Sequence, residues 1–257
     1  LKPIRYIIIL IIAFIIFPAG KATSQDRGVM NLPAYNHEKY HFGFILAINQ
    51  MHFTIKMKDG FQNFTYDSLQ SPDIHVDSLN LLNVTSDPTM GFTVGIVGNL
   101  RLGKYFDLRF VPSLAFGERN INFYLKTYND GTASLVEIRK NVTSAHIDIP
   151  LSVRYRSKRV HNFGAYVLGG LKYTLDLAAT RADKKEEENE TLVKLQKHDV
   201  SAEVGVGIEF YNAWFKFGIE AKMSYGLTDL LRREENVYSG GIESLKSKIW
   251  QLSFTFE

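Results

Sequence analysis

The chain has 257 residues, is 45% hydrophobic, carries a formal charge of +3 and contains no cysteine. So small a charge gives no ground for a nucleic-acid partner. Without cysteine, neither a disulfide framework nor a cysteine-anchored lipoprotein is possible.

At the N-terminus, Lys2 and Arg5 precede an apolar run over residues 7–17. Pro18 and Gly20 break the run, and Ala22-Thr23-Ser24 supplies the small residues that a signal peptidase reads. Residues 1–24 are therefore predicted to be a signal peptide, with Gln25 as the mature start. The run falls short of the roughly 20 apolar residues that span a bilayer as a helix. A polar periplasmic lead follows over residues 25–39, and residues 40–257 are assigned to one β-barrel.

The hydrophobic period beyond residue 40 is two, not 3.6, so strands are expected. Eight are predicted, over residues 40–53, 90–102, 106–125, 141–156, 162–178, 199–211, 213–226 and 248–256. In the second, Phe92, Val94, Ile96, Leu100 and Leu102 share one face, opposite Gly91, Thr93, Gly95, Asn99 and Arg101. In the fourth, Ala145, Ile147, Ile149, Leu151, Val153 and Tyr155 oppose Ser144, His146, Asp148, Ser152 and Arg154. The eighth sets Trp250, Leu252, Phe254 and Phe256 against Gln251, Ser253 and Thr255.

Connection lengths alternate. Links over residues 54–89, 126–140, 179–198 and 227–247 are long, whereas those near 103–105, 157–161 and 212 are tight. Short periplasmic turns, long extracellular loops and bulky apolar residues opposite charges are the pattern of an outer-membrane barrel. The fold class expected is all-β: an eight-stranded antiparallel transmembrane β-barrel in the outer membrane, with both termini periplasmic. Tyr40, Tyr105, Tyr155, Phe163, Tyr211, Trp214 and Phe256 are expected to form the lower interfacial girdle.

The polar faces carry charges of both signs. Arg101, Arg109, Arg154, Lys172, Lys216 and Lys222 stand against Asp107, Asp148, Asp176, Glu203, Glu209 and Glu220, with His146 beside them. An eight-stranded barrel is just wide enough to be filled by side chains. These groups are expected to pair as a structural network in a closed lumen.

Candidate chemistry is thin. His146 and Asp148, with Ser144 or Ser152, have the residue types of an acyl-transfer group, but their charged neighbours favour the structural role. His37, His41, His52 and His75 lack ligand spacing. No catalytic, metal or cofactor site is expected. The charged run over residues 183–190 reads as a solvated outer loop. The first long loop is more apolar, and Phe61, Phe64, Tyr66, Leu79, Leu81 and Leu82 are expected to cover the mouth or meet a protein partner.

Several strings resemble one family. Asn31-Leu32-Pro33 with Tyr35, then His41-Phe42-Gly43-Phe44, is similar to the mature start of the PorT (SprT) family of Bacteroidetes. So are Asp148-Ile149-Pro150-Leu151, Arg154-Tyr155-Arg156-Ser157-Lys158-Arg159 and Tyr166-Val167-Leu168-Gly169-Gly170-Leu171-Lys172-Tyr173 with Asp176-Leu177-Ala178. The C-terminal strings Ile242-Glu243-Ser244-Leu245-Lys246-Ser247-Lys248 and Ser253-Phe254-Thr255-Phe256-Glu257 also look similar. The resemblance implies an accessory role in the type IX protein secretion system, beside the large translocon pore, and in gliding motility in some members. It carries over no catalytic residue. The alternatives are a structural or adhesive outer-membrane barrel and, less favoured, a lipid-modifying enzyme.

Overall fold

The computed structural model describes residues 30–66, 76–182, 195–233 and 236–257. The expected signal peptide, the start of the polar lead and the charged run at 183–190 lie outside the described residues.

Among the described residues ten strands form one sheet: β1 (Tyr40–Met57), β2 (Thr65–Tyr66), β3 (Ser78–Arg101), β4 (Phe106–Phe110), β5 (Ser113–Asn129), β6 (Thr132–Arg156), β7 (Phe163–Asp176), β8 (His198–Tyr211), β9 (Lys216–Gly226) and β10 (Ile242–Phe256). All pairings are antiparallel. β1 pairs with β10 on one side and β3 on the other, so the pairings lead around the sheet and return to β1.

The count differs from the eight expected for two reasons. β2 is a two-residue strand against the start of β3. β4 and β5, expected as one strand, are separated at Val111 and Pro112, although both pair with β3 and with β6. Pro112 has no N–H to give the ladder. On the facing strand the ladder skips from Asp148 to Leu151, so Pro150 lies opposite the same gap. The two prolines share one interruption instead of making two.

Two expected loops contain long stretches of strand. β1 runs on to Met57 and β3 begins at Ser78, so much of 54–89 is wall. β5 and β6 meet across Asp130 and Gly131, both at positive φ (47° and 76°), a two-residue type I′ hairpin in place of the loop at 126–140. β3 has 24 residues and β6 has 25, well beyond the roughly 9–11 that cross a bilayer. One side of the barrel therefore rises as a lobe beyond the other.

The wall inverts its polarity along these long strands. Low on β1, Phe42, Phe44, Leu46 and Ile48 point out and are exposed, while His41 and Asn49 point in and are buried. Higher on the same strand the inward residues are Met51 and Phe53, and the outward ones include exposed Thr54 and Lys56. β5 does the same: inward Arg119 is followed by inward Ile121, Phe123 and Leu125. An oily exterior suits lipid, whereas a polar exterior over an oily interior suits water. The level of the change marks the outer edge of the apolar band.

Candidate functional site

The interior is built in three tiers. Strand parity sets the middle tier and much of the top one, because alternate residues of every strand point inward. At the bottom, residues 31–36 fold beneath the barrel. Asn31 N–H donates to Asn162 Oδ1 (2.9 Å) and Asn31 Nδ2 donates to the Tyr211 carbonyl (3.0 Å). Tyr35 stacks on His41 at 3.8 Å between ring centroids and donates its hydroxyl to Glu257 Oε2 (2.9 Å). Burial, then the adjacent Glu257 carboxylate, pushes the Tyr35 phenol far above its usual range. Arg159 lies over the Tyr211 ring at 3.7 Å and donates to the Asn31 and Leu32 carbonyls. Both described ends of the chain thus meet at the end of the barrel that carries the short turns.

The middle tier is ionic. Arg154 Nη2 is 2.7 Å from Asp107 Oδ2, and its Nη1 is 2.5 Å from Glu209 Oε1. Arg156 Nε reaches the same Asp107 oxygen at 2.8 Å. Lys216 bridges Glu209 (3.1 Å) and Glu257 (2.6 Å), and Arg109 pairs with Glu257 at 3.0 Å. Lys172 lies 3.4 Å from Asp148 and 3.7 Å from Glu203, which also holds Lys222 at 3.2 Å. Tyr166 donates to Glu220 (2.8 Å), Thr174 to Asp148 (2.7 Å) and Ser224 to Glu203 (2.7 Å). Above them Arg119 Nη2 is 3.0 Å from Asp176, and its Nε donates to Ser144 Oγ (2.7 Å). A small cavity of about 10 Å³ remains among Arg109, Glu220, Lys222 and Gln251.

The top tier is an apolar stopper. Phe53, Tyr66, Leu79, Leu81, Ile121 and Phe123 pack with Leu230, Leu231, Val237, Tyr238, Ile242 and Leu245. Phe123 meets Tyr238 edge to face at 4.9 Å.

The structure sorts the residues singled out in the sequence. Asp107, Arg109, His146, Asp148, Arg154, Lys172, Asp176, Glu203, Glu209, Lys216, Glu220 and Lys222 are all buried in the interior. Arg101 differs: it closes β3, is half-buried and donates through Nε to the Gly103 carbonyl (3.1 Å), so it belongs to the rim. Tyr211 is no girdle residue. It shares the inward parity of Glu209 and is 2% exposed.

The expected partner loop also changes character. Tyr66, Leu79 and Leu81 are buried in the stopper, and Phe61 packs against it, because this stretch supplies inner wall. Phe64 is exposed and Leu82 half-buried.

His146 does not meet Asp148. It lies 3.3 Å from Asp176, while Asp148 is held by Lys172 and Thr174, and Ser144 accepts from Arg119. Among the described residues no group of acids and histidines is placed to hold a metal ion.

Arg119, Arg156, Glu257 and Tyr35 were missed. Arg119, Arg156 and Glu257 continue the inward parity of Arg109, Arg154 and Thr255, a signal that was available. Tyr35 lies outside any strand and gave none.

The sequence model for the outer membrane protein beta-barrel domain matches residues 27–232, well over half of the chain. No curated protein matches the sequence. Among solved structures, the outer membrane protein OprG from Pseudomonas aeruginosa is similar, with 11% identity and a TM-score of 0.34. The match covers 85% of this chain and 94% of that one.

Proposed function

The chain belongs to the family of outer membrane β-barrel domain proteins, and from that premise we propose that it is a non-enzymatic accessory of a type IX protein secretion system, of the PorT (SprT) kind. The short-turn end, with both described chain ends, would face the periplasm. Eight wall segments would then cross the lipid, with β4 and β5 counted as one.

The observation that carries the accessory reading is the filled interior. Arg154, Lys216, Asp107, Glu209 and Glu257 occupy the middle of the barrel, residues 31–36 sit below them and the Phe123–Tyr238 cluster above. A barrel of this bore filled with paired charges leaves no path for a polypeptide. Its contribution to export would come through its surfaces, beside a larger pore. The secretion system itself is suggested by the strings around Asp148-Ile149-Pro150-Leu151 and residues 154–159 and 166–173.

Deleting the gene and following cargo that carries C-terminal secretion signals tests the proposal. Cargo should accumulate unprocessed in the periplasm. Normal export and processing in the deletant would overturn it.

A further inference from the structure

Among the described residues, the lobe leaves one strand edge unpaired. β6 pairs with β5 from Thr132 onward, but its pairing with β7 begins only at His146. The short helix Leu177–Ala182, which follows β7 directly, also contacts β6. Between 132 and 145, no strand of the described residues pairs with β6 on the side away from β5. The opposite border of the lobe is covered: Leu230 N–H donates to the Leu245 carbonyl, and Arg233 reaches the Glu243 carbonyl of β10.

The hairpin fixes which backbone groups are open. In a two-residue hairpin the flanking residues, here Asn129 and Thr132, exchange both backbone bonds. Even-numbered residues of outer β6 therefore bond to β5. The N–H and C=O groups of Ala133, Leu135, Glu137, Arg139 and Asn141 point away from it. All five residues are exposed, Leu135 at 76%. The edge carries no proline or bulge on this stretch, devices that usually blunt such edges.

We propose that outer β6 is a docking edge on which an extended segment of another polypeptide adds as an antiparallel strand. The edge backbone supplies the affinity. Glu137 and Arg139, two apart on the outward face, supply the selection. An antiparallel guest with a cation opposite Glu137 and a carboxylate opposite Arg139 gains two cross-strand ion pairs.

A second copy in the same membrane does not fit. Two barrels inserted in one sense present β6 edges running parallel, which brings Glu137 beside Glu137 and Arg139 beside Arg139, a repulsive arrangement.

A free peptide copying residues 132–143 can run antiparallel. With Ile138 opposite itself, Glu137 of each strand faces Arg139 of the other, and the outward-pointing backbone groups coincide. This peptide is the probe. Added to the full-length barrel in detergent, it should slow amide exchange at Leu135, Glu137, Arg139 and Asn141. Exchange in the barrel interior should not change.

The double variant E137R/R139E should bind the peptide at least ten-fold more weakly, and a peptide with the same two exchanges should restore binding. Glu137→Pro removes an outward donor without touching the β5 ladder, so it should abolish protection while the heat-dependent gel shift of the folded barrel persists. Absence of protection at saturating peptide, or binding indifferent to the charge exchange and to proline, would overturn the docking edge.

Discussion

Arg154 grips one oxygen of Asp107 through two nitrogens, Nε at 3.1 Å and Nη2 at 2.7 Å, while its third nitrogen holds Glu209 at 2.5 Å. A single guanidinium thus ties β6 to its neighbour β4 and, past β7, to β8. Arg154→Met leaves Asp107 with Arg156 and Glu209 with Lys216, each short of a partner. Removing one member of a buried pair costs about 3–5 kcal/mol. Urea unfolding in detergent should show a loss of that size, and Arg101→Met, at the rim, should lose far less.

The inverted wall makes position along β6 decisive. Ile149 is outward, 41% exposed and level with the apolar band. Ile149→Lys should cost roughly 2–4 kcal/mol if it lies near the bilayer midplane. Leu135 is more exposed still but stands on the polar part of the same strand, so Leu135→Lys should leave stability in lipid vesicles almost unchanged. Equal losses from the two substitutions would contradict the assignment of the band.

Phe123 is fully buried in the stopper and packs on Tyr238. Phe123→Ala should cost about 3–5 kcal/mol, as for other buried aromatic truncations. The loss should be local. Limited proteolysis should cut the lobe around residues 230–240 faster, while the amides of β8 and β9 keep their exchange protection.

Tyr35 holds its proton more tightly in the folded chain than in the unfolded one, because burial and Glu257 disfavour the phenolate. The sign follows from linkage. The contribution is fully present below the ordinary tyrosine value near 10 and is lost as pH rises above it. Wild-type protein should therefore lose stability between about pH 10 and pH 12, and Tyr35→Phe should show a shallower decline over the same range. Identical slopes would remove Tyr35 from the base of the barrel.

Much of the barrel was legible because period-two alternation survives wherever lipid and packed charge fall on opposite faces. Asp148, Arg154, Glu203 and Lys222 were placed inward by parity alone. The lobe was not legible for a physical reason. Beyond the apolar band the outside meets water, so the rule reverses, and Leu79 and Leu81 look like loop hydrophobics when they are inner wall. Tyr211 reads as a girdle aromatic by residue type, but its parity with Glu209 turns it inward. The open edge of β6 is invisible for a different reason: the alternation predicts that this strand begins at residue 141, whereas it begins at Thr132, and strand length is poorly fixed by local pattern.

The most direct test of the filled interior is conductance across a planar lipid bilayer containing the purified full-length protein. Arg154, Lys216 and their carboxylates, stoppered above and below, should give a silent bilayer at moderate voltage. Reproducible stepwise currents from the wild-type protein would contradict the packed lumen.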